Sequence, residues 1–167
     1  MTGDAAGAPT LRHDLRPGDL GTVLRMHGVL YAAEYGFNHI FESYVAETLA
    51  GLGRTYRPDR DRLWLAERDG QVVGTVAIVG REAGAAQLRW LLVRPEARGL
   101  GLGRRLVAEA LDFCRAGGYA SVFLWTVSAL DEAARLYVSC GFRKTETLPP
   151  TRWGVEVIEE RYDLALS

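Results

Sequence analysis

Three arginines and three glycines fall together in Arg98-Gly99-Leu100-Gly101-Leu102-Gly103-Arg104-Arg105. A stretch from Leu88 to Val93 that is apolar except for Arg89 precedes them, and a helical pattern that includes Leu106 follows. Glycine has no Cβ, so a ligand can come close to the main chain there. A helix that begins at such a turn points unpaired N–H groups, and the positive end of its dipole, at one spot. The chemistry this suits is binding of a phosphate or pyrophosphate, with Arg98, Arg104 and Arg105 adding positive charge. The spacing is not that of a P-loop, because no Gly-Lys-Ser/Thr follows. Nor is it a dinucleotide fingerprint. The glycines alternate, and the next strand ends in Trp125-Thr126 without an acidic residue. The plain structural alternative is a tight strand-to-helix turn with no ligand.

Composition narrows the function classes. With 167 residues the chain is expected to form one domain over residues 10–165, with a loose tail at 1–9. The formal net charge of −1 disfavours nucleic acid or an anionic membrane as main partner. No apolar run approaches the roughly 20 residues a membrane-spanning helix needs. The small, polar opening lacks the basic start and apolar core of a secretion signal. Cys114 and Cys140 stand apart and fit neither a disulfide framework nor a zinc site, so buried thiols in a reducing cytoplasm are expected. No metal site is expected.

The elements around the turn follow from period and punctuation. A strand over 10–15 leads to a helix starting at Pro17-Gly18-Asp19 and ending at Tyr35-Gly36. Asn38 is the expected N-cap of a second helix, with Phe41, Val45, Leu49 and Leu52 as its stripe and Gly51 and Gly53 as its end. Strands at 63–68 and 71–79 flank Asp69-Gly70, a strong hairpin signal. A turn over Gly80–Gly84 precedes a third strand, 85–93. The helix after the Gly-rich turn runs to about Ala116, where Gly117-Gly118 closes it. Tyr119 to Val127 scarcely alternates, as expected of a strand covered on both faces. It should lie parallel to 85–93 through a right-handed crossover. A short helix from Leu130 to Cys140, a strand from Phe142 to Leu148, a loop over 149–154 and a strand from Val155 to Leu164 complete the chain.

Two motifs in this order resemble the Gcn5-related N-acetyltransferase (GNAT) superfamily. One is Arg98-Gly99-Leu100-Gly101-Leu102-Gly103, similar to that family's acetyl-CoA signature. The other is Ala133-Ala134-Arg135-Leu136-Tyr137, three residues, then Gly141-Phe142. The element order agrees over about residues 10–165. The stretches Arg16–Gly21 and Leu30–Gly36 are also similar to bacterial acetyltransferase domains often fused behind MarR-type DNA-binding domains.

The resemblance implies an α/β fold with a seven-stranded, largely antiparallel mixed sheet. About four helices would flank it, and its central parallel strand pair would splay apart. It implies acetyl-CoA as cosubstrate and N-acetyltransfer to a primary amine, of a small molecule or a protein, by direct attack in a ternary complex. The cofactor would meet Leu91, Leu92, Val93, Arg98, Gly99, Leu100, Gly101, Leu102, Gly103, Arg104 and Tyr137, with free backbone groups of Leu91 and Val93 pairing with the pantetheine arm. A backbone N–H of Leu91 or Leu92 would serve the oxyanion. Tyr137 would protonate the leaving thiolate.

The family's usual glutamate on the strand before the Gly-rich turn is replaced here by Gln87, which cannot take a proton. The base is then reached through water or lies elsewhere, with Glu34, Glu42 and His39 near the expected acceptor side. Phe37 and Trp153 are the loop aromatics expected in the acceptor pocket. Leu130 stands where the family often has a cofactor-contacting Asn. The missing glutamate keeps a non-catalytic acyl-CoA sensor open as an alternative. An ordinary nucleotide-binding domain is a third reading. The last strands often make homodimers in this family.

Overall fold

The structure is a computed structural model that describes residues 7–167. The first part of the expected tail lies outside the described residues. Gly7–Pro9 has no regular structure, although the Pro9 carbonyl accepts a hydrogen bond from Arg105 Nη1.

The chain runs β1 (Thr10–Arg12), α1 (Asp19–Tyr35), α2 (His39–Thr55), β2 (Arg62–Arg68), β3 (Gln71–Gly80) and β4 (Ala85–Val93). A single 3-10 turn, Pro95–Ala97, leads through the Gly-rich turn into α3 (Leu102–Ala116). Then follow β5 (Ser121–Val127), α4 (Asp131–Ser139), β6 (Arg143–Thr147), β7 (Thr151–Arg152), β8 (Glu156–Val157) and β9 (Glu159–Ala165). The main sheet has seven strands in the order β1-β2-β3-β4-β5-β9-β6, and only β4 and β5 run parallel. This is the mixed, largely antiparallel sheet with four helices that the sequence led us to expect.

Alternation sorts the core onto two faces. In β2, Trp64 and Ala66 join the α3 face with Leu106, Val107 and Ala110, whereas Leu63 and Leu65 join the α1–α2 face with Val45 and Leu49. The hairpin between β2 and β3 turns on Asp69 at φ 53° and Gly70 at φ 75°. That pair of left-handed residues matches the right-handed twist of the flanking strands.

In β4 the alternation slips. Ala86 and Leu88 face α3, but so do Leu91 and Val93, while Trp90 packs against the α1–α2 core. The register explains it. Thr75 pairs with Leu92 and Ala77 with Arg89, so Trp90 and Leu91 together oppose Val76. This is a β-bulge, with Trp90 at φ 49°. The Thr75 hydroxyl donates to the Trp90 carbonyl at 2.7 Å within the core. Pairing of β4 with β5 stops at Gln87–Phe123, just before the bulge. Both strands run on, so the sheet is splayed beyond that point, as the resemblance implied.

Two expected boundaries fail. Helix α2 does not end at Gly51 and Gly53 but runs to Thr55. A Cβ on Gly53 would stand 2.8 Å from Leu20 Cδ1. Glycine there admits α1 closely, which outweighs its cost of roughly 1 kcal/mol in a helix. The last strand is also broken. Glu156–Val157, expected within that strand, pairs with Thr151–Arg152, expected in a plain loop, as a separate two-stranded hairpin. Trp153 N–H bonds to the Val155 carbonyl, and Gly154 turns the chain at φ 89°. Cys114 is buried and its thiol is pushed up to about 12 by that burial, while Cys140 is only half-buried.

Candidate functional site

The splay opens two clefts that share Tyr31, Leu91 and Leu130. The larger, about 530 Å³, is bounded by the Gly-rich turn, the end of β4 and the start of α4. Its lining includes Leu91, Leu92, Val93, Arg98, Gly99, Gly101, Leu102, Gly103 and Arg104. Leu100 does not line it and points outward, 75% exposed. Gly99 and Gly101 adopt φ of 79° and 80°, which an L-residue reaches only under strain. Gly101 caps α3 without any side-chain hydrogen bond. The first N–H groups of α3 therefore have no capping side chain.

Arg98 is held on two sides. Its Nη2 and Nη1 bond Glu34 Oε1 and Oε2 at 2.8 and 3.1 Å, and its Nε donates to the Val93 carbonyl at 2.9 Å. Glu34 thus belongs to the Gly-rich-turn side rather than to the second cleft, and the Val93 carbonyl already has a donor. Arg104 donates to Ser139 Oγ at 2.9 Å. Leu130 is the N-cap of α4 and makes no side-chain cap bond.

The second cleft, about 110 Å³, lies between α1, α2 and the far parts of β4 and β5. Phe37, Phe41, Tyr44 and Trp153 pack on one another along one wall, with ring centroids 5.1–5.8 Å apart. The Trp153 carbonyl accepts from Asn38 N–H, so the small β7–β8 hairpin is tied to the start of α2. Phe37 and Trp153, single loop residues in the sequence, therefore meet in one wall. Glu42 and His39 line neither cleft. Glu42 is exposed, with its carboxylate lying against Gly28.

Tyr137 is buried beside Phe142 and Tyr162 and also lines the second cleft. Burial, with Tyr31 nearby, drives its hydroxyl well above the usual tyrosine range. It stays protonated at any physiological pH, as a proton donor must before it acts. Gln87 lines the same cleft, and its Oε1 accepts two bonds from Arg81, at 2.9 and 2.7 Å.

Two groups in this cleft had no distinctive sequence signal. His27, on an apolar stripe, is 3% exposed, and its Nδ1 lies 2.8 Å from the Val23 carbonyl. A carbonyl can only accept, so Nδ1 carries the proton and Nε2 presents a lone pair. That Nε2 is the only buried side-chain polar atom without a partner among the described residues. Burial pushes the imidazole down to about 4 despite the Val23 bond, so it is neutral at pH 7. Glu159, at the start of β9, opens onto the cleft. Among the described residues it makes no ion pair, and burial holds its carboxyl above the ordinary range. A desolvated, unpaired carboxylate in a cleft is a functional candidate that a list of charged strand residues cannot reveal.

Comparison with known proteins agrees with this geometry. The family model described as "Acetyltransferase (GNAT) family" matches residues 25–142. An uncharacterized N-acetyltransferase of Schizosaccharomyces pombe is 37% identical over 118 residues, covering 70% of this chain and 72% of that protein. N-acetyltransferase 8 of Rattus norvegicus is 36% identical over 115 residues, covering 63% of this chain but only 52% of its own length. Among solved structures, an acetyltransferase of the GNAT family from Staphylococcus aureus superposes with a TM-score of 0.77 at 20% identity, over 96% of this chain and 100% of that one. A Bacillus subtilis acetyltransferase in complex with CoA gives 0.67 at 14% identity, over 95% and 99%. Among the described residues no helix is long and apolar enough to cross a membrane, and no cluster of potential metal ligands is found.

Proposed function

We propose roles for the two clefts from one premise: this chain belongs to the acetyltransferase (GNAT) family. It is an acetyl-CoA-dependent N-acetyltransferase domain. In our reading the larger cleft takes acetyl-CoA. The N–H groups at 99–104 and the α3 dipole hold the pyrophosphate, and Arg98 and Arg104 add charge at its edge. The acyl arm then passes between the splayed strands to Leu91, the strand residue that both clefts share. The smaller cleft receives the amine. That the two clefts meet at the bulge is the observation that carries this division.

Transfer needs a neutral amine, a donor to the oxyanion and a proton for the thiolate. A lysine-like amine costs roughly 4 kcal/mol to deprotonate near pH 7. The Leu91 or Leu92 N–H, turned by the bulge, is the proposed oxyanion donor. Tyr137 is the proposed proton donor to sulfur. Its hydroxyl makes no hydrogen bond to another described side chain and borders the amine cleft. Gln87 cannot act as base, and its carbonyl oxygen is engaged by Arg81. The proton acceptor is then reached through water or lies elsewhere. A cytoplasmic setting, a homodimer and kinship with acetyltransferase domains carried behind MarR-type regulators are further proposals that rest on the sequence alone.

The test is thermal unfolding with acetyl-CoA, CoA, ATP or NAD. A ligand of the native state raises Tm, by about 2.7 kcal/mol of stabilisation at one hundred times Kd. A shift with acetyl-CoA and CoA only is expected. Equal shifts with ATP would favour a general nucleotide site. Tight acetyl-CoA binding without turnover against any amine would favour the sensor reading.

A further inference from the structure

The family's usual base is absent, yet the amine cleft holds one carboxylate. We propose that Glu159 is the counter-ion and proton acceptor of the incoming amine. We further propose that the cleft selects a primary ammonium with a single positive charge on a slim apolar stem. The reaction itself rests on the function proposed above; the binding claim is tested apart from it.

Among the described residues that line this cleft, only Glu159 and Arg89 carry charge at neutral pH, since His27 is neutral. The titratable and charged groups that share the cleft with Glu159 are His27 and Tyr31 from α1, Tyr44 from α2, Arg89 from β4 and Tyr137 from α4. None of them makes an ion pair with it among the described residues. Arg89 instead gives its Nη2 to the Tyr44 hydroxyl at 2.9 Å and lies over the Trp90 ring. Glu159 is half-buried, and a carboxylate partly shielded from water without a partner gains from a ligand that completes it.

His27 adds an independent pointer. The residue lines the same cleft, and its Nε2 is a buried acceptor without a partner among the described residues. An ammonium brings several N–H donors, and the cleft supplies acceptors in the Glu159 carboxylate and, where the ligand reaches it, the His27 imidazole. The aromatic wall favours a cation beside it. Size and charge then restrict the stem. A cleft of about 110 Å³ admits a slim chain end. A second ammonium finds no second carboxylate there, and meets Arg89.

The Glu159 carboxylate takes one proton from R–NH3⁺. The freed R–NH2 forms the C–N bond as the C–S bond breaks. The CoA thiolate takes a proton from Tyr137, and the amine's second proton replaces it through the site. The net products are the acetamide, CoA thiol and one proton.

Steady-state turnover and binding of butylamine, N-α-acetyl-lysine amide and spermidine would be compared for wild type, Glu159→Gln, Glu159→Asp and Glu160→Gln. Glu160 pairs with Lys144 and lines neither cleft, so it is the control. Glu159→Gln is expected to lower kcat/KM for the monoamine about 100-fold or more, with acetyl-CoA affinity unchanged. Glu159→Asp should keep part of the activity. The acidic limb of the pH–rate profile should lie above the ordinary glutamate range and vanish in Glu159→Gln. Butylamine and the lysine amide distinguish a free amine from a protein side chain, and spermidine should be the poorest of the three. Glu159→Gln within about threefold of wild type between pH 6 and 9 would overturn the proposal. So would spermidine as the best acceptor. Should wild type bind acetyl-CoA but acetylate nothing, the reaction reading fails. The inference is then judged by calorimetry of butylamine with the CoA-bound protein, where binding lost in Glu159→Gln upholds the ammonium site and no binding overturns it.

Discussion

Replacing Thr75 with valine should separate the bulge from the rest of the sheet. The Thr75 hydroxyl is fully buried and holds the Trp90 carbonyl at 2.7 Å. Valine keeps the shape but leaves that carbonyl without its donor. An orphaned buried acceptor costs about 1–3 kcal/mol. For a chain of this length each kcal/mol is worth about 2–4 °C, so a midpoint loss of about 2 kcal/mol lowers Tm by about 4–8 °C. Activity should fall further than stability alone explains. Trp90 holds a left-handed φ of 49°, and relaxing it would reorient the adjoining Leu91 amide, the proposed oxyanion donor. A small misplacement of a reacting or stabilising group can cost 10²-fold. Thermal unfolding together with kcat for acetyl transfer, both on protein saturated with acetyl-CoA, reads the two effects. Thr75→Ser retains the hydroxyl and should keep kcat near wild type. If Thr75→Val unfolds within about 1 °C of wild type and turns over equally fast, the ladder to β3 alone fixes the bulge and the reasoning fails.

Two further outcomes follow from charge. Arg98→Ala should weaken acetyl-CoA binding about tenfold or more and flatten its salt dependence, while Tm moves by only a few degrees, because the ion pair with Glu34 is partly exposed. Isothermal titration at two salt concentrations checks it. Asp19 offers a stability test. Burial disfavours its charge, but two bonds from Arg12 and one from the Arg16 N–H outweigh this and hold its carboxyl below the usual range. A depressed folded pKa stabilises above the unfolded value of about 3.9 and loses that benefit as pH falls through the folded one. Asp19→Asn should therefore cost roughly 2 kcal/mol at pH 7 and converge on wild type in acid, as followed by Tm against pH.

The parts of the site legible in the sequence are those written locally. The Gly-rich turn carries its own conformational demand at Gly99 and Gly101, and Asp69-Gly70 fixes a hairpin by turn geometry alone. The bulge was hidden because Trp90–Val93 is apolar on both faces, so a slip in facing there leaves no trace in residue type. Gly53 looked like a helix end because its contact with Leu20 is long-range. Glu34 was expected beside the acceptor from its place at the end of α1, but its partner, Arg98, lies 64 residues away. Glu159 looked like one acid among several in an alternating strand. Its exceptional state comes from what surrounds it, and the break between β8 and β9 that places it on the cleft is a tertiary event.

The most direct test of the whole account is single-turnover release of free thiol from acetyl-CoA with a saturating primary monoamine, comparing wild type with Tyr137→Phe. The hydroxyl holds no protein partner among the described side chains, so phenylalanine should fold as well and bind acetyl-CoA as tightly. The account predicts a loss of about 100-fold or more in the transfer rate at unchanged affinity. A Tyr137→Phe protein that transfers acetyl within about threefold of the wild-type rate would contradict it.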